Sequence, residues 1–158
     1  MRKLFIMLAT VFSVNSVAVE PARTDTQSQY ESLFAYYFAA ARTGNEQVIK
    51  QFVTAGIPID SYNNKGYTAL MIATYHGNES TVESLLNLGA NACLEDNRGN
   101  TALMAAIFRG EFSIAKTLVS LDCDTEHTNK AGQTAEQFAR TFGQDKVLAL
   151  LDSIKPKQ

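Results

Sequence analysis

Few residues in this chain are suited to chemistry: Cys93, Cys123, His76 and His127, with the carboxylates Asp122, Asp124 and Glu126 beside two of them. Cys123 and His127 stand four apart in one loop, a spacing that suits a thiolate pair or two ligands of a metal ion. A closed metal site needs a third and a fourth ligand, and no such residue follows at a suitable spacing. The three acids would attract a hard cation but lack the spaced loop that calcium sites use, so they read as a solvated loop. There is no phosphate loop ending in Lys and Ser or Thr, no HExxH and no GxSxG. The sequence therefore predicts no catalytic, cofactor or metal site. Redox work through Cys93 or Cys123 is the one chemical alternative it leaves.

The elements that carry these residues obey a period. Gly44, Gly77, Gly110 and Gly143 recur every 33 residues, and Gly66, Gly99 and Gly132 keep the same interval. So do Thr68, Thr101 and Thr134, Ala73, Ala106 and Ala139, and the apolar column Phe52, Leu85, Leu118 and Leu151. A constant interval of that size is the mark of stacked repeats, whose core runs between neighbouring units. Within one unit Asn63-Asn64-Lys65-Gly66 composes a turn, and Thr68 is placed to cap the short helix that follows. That helix ends near Gly77. Val82, Leu85 and Leu86 then give a second helix its apolar face, which Gly89 terminates.

The same period sets the register of the cysteines. Cys93 aligns with Glu126 and Cys123 with Ala90, an offset of three residues between adjacent units. In extended chain that offset spans roughly 10 Å, beyond what a disulfide tolerates, so the register predicts two separate thiols, one or both partly buried.

The ends differ from the repeats. Arg2 and Lys3 precede a mostly apolar run over residues 4–14, and Ser16-Val17-Ala18 offers small residues for cleavage, which predicts a secretory signal over residues 1–18 cut after Ala18. The apolar run falls well short of the roughly 20 residues needed to span a bilayer, so no membrane anchor is expected after cleavage. Residues 19–29 are polar, contain Pro21 and read as a flexible leader. Removal of Arg2 and Lys3 from a chain with 14 basic and 16 acidic residues leaves a net charge of −4. An acidic chain without a basic stripe is a poor partner for nucleic acid and points instead to a protein.

The unit Asn64-Lys65-Gly66-Tyr67-Thr68-Ala69-Leu70-Met71-Ile72-Ala73, followed by Gly77-Asn78, Leu85-Leu86 and Leu88-Gly89-Ala90-Asn91, resembles the ankyrin repeat, and the unit from Asn97 repeats it. The resemblance implies an all-α ankyrin solenoid of helix-turn-helix units joined by β-turn or hairpin loops. It divides the chain into an N-terminal capping repeat (30–63), two repeats (64–96 and 97–129) and a C-terminal capping repeat (130–154). Alanine replaces the family's proline at 69, 102 and 135, and methionine its histidine at 71 and 104, so apolar packing must stand in for the usual Thr–His hydrogen bonds. The resemblance further implies a non-enzymatic monomer that holds one protein partner on its concave face. The family's contact positions map onto Tyr67, Tyr75, His76, Arg98, Asn100, Phe108, Arg109, Gln133 and Phe142. Similar small bacterial proteins with a signal and about four repeats are periplasmic, and include accessories to catalase and peroxide resistance as well as immunity proteins that neutralise a co-encoded secreted toxin.

Overall fold

The structure, a computed structural model, describes residues 23–155. Among them run eight helices: α1 (Arg23–Thr43), α2 (Glu46–Thr54), α3 (Ala69–Tyr75), α4 (Glu79–Asn87), α5 (Ala102–Arg109), α6 (Phe112–Val119), α7 (Ala135–Thr141) and α8 (Asp145–Ile154). They form four helix-turn-helix pairs. Helices α1, α3, α5 and α7 pack side by side in one row, and α2, α4, α6 and α8 form a second row behind it. Among the described residues there is no strand, only an isolated bridge between Glu95 and Thr101 in one connecting loop.

The short inner helices start alike. Thr68, Thr101 and Thr134 are extended, and each hydroxyl accepts from the backbone N–H three residues on, that of Met71, Met104 or Gln137, at 3.3, 3.4 and 3.3 Å. Helices of seven or eight residues do not persist alone in water, so packing must hold them. Ala69, Ala73, Ala102, Ala106, Ala135 and Ala139 are all buried, and their small side chains let the inner helices approach closely. Leu85, Ile114, Leu118 and Leu151 fill the space between the rows. Met71 and Met104 are buried as well, which provides the apolar packing that the departures from the family pattern require.

One column stiffens the loops and is not evident from composition. In Asn63, Asp96 and Asn129 the side-chain Oδ1 accepts backbone N–H groups two and four residues on, at 2.7–3.0 Å. The backbone N–H of each donates to the carbonyl four residues on, closing a small hairpin. Every loop tip is thus tied by one carboxamide or carboxylate.

The first helix begins earlier than the apolar pattern of the sequence indicates. Helix α1 already runs from Arg23, through residues 23–29 that composition suggested were leader. Residues 23–29 are all polar in sequence, and Ser28 and Gln29 are exposed, so no apolar periodicity marks this stretch as helical. Farther along α1, Tyr37 is fully buried and its hydroxyl donates to the Ile59 carbonyl at 3.0 Å. Burial chiefly, with the Asp60 carboxylate second, raises its phenol well above the ordinary range. The secretory signal expected over residues 1–18 lies outside the described residues. Among the described helices none is long and apolar enough to cross a membrane.

The cysteines correct an expectation. Cys93 and Cys123 form a disulfide with Cα atoms 5.3 Å apart, where the register predicted two separate thiols. Extended chain stacked in strict register would have kept them apart, but neither condition holds. Across the preceding interface the Asn91 N–H donates to Asp60 Oδ1 at a separation of 31 residues, and His127 Nε2 donates to the Gly99 carbonyl at a separation of 28. Neighbouring loops therefore meet short of the period. Turns at Asn91 and Asp124, whose Oδ1 atoms accept from Cys93 N and Glu126 N, also fold the chain back beside each cysteine.

Candidate functional site

The row of inner helices and the loop tips border a groove of about 730 Å³. Its most distinctive feature is a ladder of aromatic rings at the C-terminal ends of the inner helices. Tyr75 stacks on Phe108 with centroids 6.2 Å apart and planes 17° from parallel. Phe108 in turn meets Phe142 edge to face at 5.0 Å, and Phe142 rests on Phe138 at 5.3 Å. Despite these contacts Tyr75, Phe108 and Phe142 remain 43, 46 and 40% exposed. They are held in place by one another without being absorbed into the core.

Of the residues that the sequence nominated, seven line this groove: Tyr67, Tyr75, His76, Arg98, Asn100, Phe108 and Phe142. His76 caps α3 and sets its ring edge-on to Tyr75 at 5.5 Å. Arg109 lies beside the groove and buttresses Tyr75, with Nε donating to the Tyr75 carbonyl at 3.1 Å and the guanidinium 4.9 Å from the ring centroid. Asn100 is engaged within the scaffold. Its Nδ2 donates to Asp96 Oδ2 at 3.2 Å, and its Oδ1 accepts from Asn129 Nδ2 of the next unit at 2.8 Å. Gln133 stands apart from the groove, half-buried and bonded through its backbone to Asn129.

Ten further lining residues were not nominated as contacts; Arg42, Lys65 and Phe138 are among them, and the period held signals for the first two. Arg42 occupies the column of Tyr75 and Phe108 one unit earlier, and Lys65 precedes Arg98 by one period. Phe138 had no such signal, because its column, Ile72 and Ala105, holds none of the nominated contact residues.

Apart from His76, the residues suited to chemistry lie elsewhere. The Cys123 sulfur is bonded to Cys93, and His127 faces the Gly99 carbonyl with Nδ1 3.6 Å from Glu95, so the two do not form the pair that their spacing suggested. At the far end of the stack Glu136 bridges Lys155 at 2.5 Å and Arg140 at 2.7 Å. The hydrogen bond from Lys155, then that from Arg140, holds its carboxyl below the ordinary range.

Paired helices in two rows, hairpin loops and a groove along the inner row define a helical repeat solenoid of the kind that presents a surface to other proteins. The family model for ankyrin repeats in three copies matches residues 12–96, 36–129 and 82–158, and the chain belongs to the ankyrin-repeat family. No curated protein matches it. Its repeats make it a protein–protein interaction module.

Proposed function

We propose that the chain is a non-enzymatic periplasmic protein that captures one protein partner on its concave face, with Tyr75, Phe108 and Phe142 as anchors. The observation that carries this is the ladder itself. Three large rings aligned over successive units stay more than one-third exposed on a groove floor, and aromatic residues held rigid in a desolvatable groove dominate interface energetics. Arg109, fixed over Tyr75, adds a second residue type typical of such hot spots.

The test is capture of a partner from periplasmic extract by residues 19–158, compared with the Tyr75→Ala/Phe108→Ala variant. Capture should disappear while the helical circular dichroism is unchanged; undiminished capture would show that the partner binds elsewhere. Within this role, support of catalase and peroxide resistance is the reading that the family resemblance favours, and deletion should then lower peroxide survival. Protection from a co-encoded toxin is the alternative, recognised by unchanged peroxide survival and by lethality of the deletion only when that toxin is present.

A further inference from the structure

The groove is basic in an acidic chain. The net charge is −2, yet the groove carries Arg42, Lys65 and Arg98 against one carboxylate, Asp96. Asp96 is already engaged within its loop, where Oδ1 accepts from Arg98 N at 2.7 Å and Asn100 N at 2.9 Å, and Oδ2 from Asn100 Nδ2. Among the described residues none of the three cations has a carboxylate within 4.0 Å. The cations also flank the ladder in an ordered way. Lys65 and Arg98 stand on successive loop tips, and Arg42 continues the column of Tyr75 and Phe108.

We propose that the groove takes an acidic, extended segment of the partner protein, whose Asp or Glu side chains face Arg42, Lys65 and Arg98 while one aromatic or branched aliphatic side chain seats on the ladder. This rests on the concave-face reading and names the chemistry of the partner. Unpaired guanidinium and ammonium groups keep their charge-assisted donors for an incoming carboxylate, and opposite potentials across an interface steer association and reject partners of the wrong sign. A nucleic acid fits less well, because its affinity depends on neutralising many phosphates and this surface offers three free cations in a chain of net negative charge.

The probe is a random dodecapeptide phage library panned on the immobilised chain, with the selected peptides then titrated by fluorescence anisotropy. Selected sequences should be rich in Asp and Glu around a Phe, Tyr, Leu or Ile. Their affinity should fall about tenfold in the Lys65→Glu/Arg98→Glu variant and weaken with added salt, and binding should be lost in Phe108→Ala. Non-acidic peptides that still require Phe108 would overturn the acidic chemistry while leaving the concave-face reading intact. Acidic peptides indifferent to Phe108→Ala would overturn both. A failure to select any sequence above background, or equal competition by a single-stranded oligonucleotide, would also overturn the proposal.

Discussion

Loss of the Cys93–Cys123 bond should destabilise the middle of the stack by about 3.6 kcal/mol. The bond joins residues 30 apart, and closing a loop of that length removes unfolded-chain entropy worth about 3.6 kcal/mol at room temperature. The loop encloses α5 and α6, that is, one whole helix pair. In a solenoid each unit is held only by its neighbours, so any unfolding that includes this pair loses the benefit of the cross-link. For a chain of this size the change lowers the melting temperature by about 10 °C. Thermal circular dichroism of the oxidised chain, the chain in reductant and the Cys93→Ser/Cys123→Ser variant measures it. Superimposable melts would refute the reasoning, as would mass spectrometry of unreduced peptides that finds no bond. Partner capture by the double serine variant should persist, because the bond lies in the loops and the ladder does not use it; lost capture with an intact fold would instead favour a redox role for the cysteines.

Two further outcomes follow from local geometry. Gly99 and Gly143 both have positive φ, +76° and +64°, but a Cβ at Gly99 would lie 3.1 Å from Lys130 N and 3.2 Å from Asn129 Cα, whereas one at Gly143 meets nothing within 4 Å. Gly143→Ala should therefore cost about 1 kcal/mol in urea unfolding and Gly99→Ala about 2–3 kcal/mol, and equal losses would contradict the loop contact. Glu136, held below its ordinary range by Lys155 and then Arg140, contributes stability that is present above the unfolded carboxyl's range and is lost as pH falls through its folded value. Glu136→Gln should remove that part of the acid limb of a pH–stability curve, and an unchanged limb would show that the bridge contributes nothing in solution.

The repeat columns made most of the fold legible. Glycines, capping threonines and buried alanines recur because each meets the same local demand in every unit, and such demands are written one residue at a time. What stayed hidden depends on relations between units. The Asn63, Asp96 and Asn129 column mixes two residue types, so it does not show as a repeat, although each member makes the same set of backbone hydrogen bonds. Asn100 has the composition of an interface residue, yet its amide is occupied at both ends by Asp96 and Asn129. The groove cations are scattered along the chain, and only the arrangement in space brings three of them together against one carboxylate, Asp96.

The disulfide and the aromatic ladder have one geometric origin. At the end where the inner helices finish, units meet at or beyond the period: Arg109 reaches the Tyr75 carbonyl at a separation of 34, Ser113 donates to Glu79 at 34, and Asn78 donates to the Arg42 and Ala41 carbonyls at 36 and 37. At the loop end they meet short of it, with Asn91 to Asp60 at 31, Cys93 to Cys123 at 30 and Asn129 to Asn100 at 29. Successive units are therefore skewed, so that strict columns slip in opposite senses at the two ends. The slip at the loops brings Cys123 to Cys93 despite the offset that alignment assigns them. The slip at the helix ends lets Phe142, one position beyond the equivalent of Phe108, continue the ladder where Thr141 occupies the equivalent position. A 33-residue period specifies which residues are equivalent, and the skew decides which of them touch.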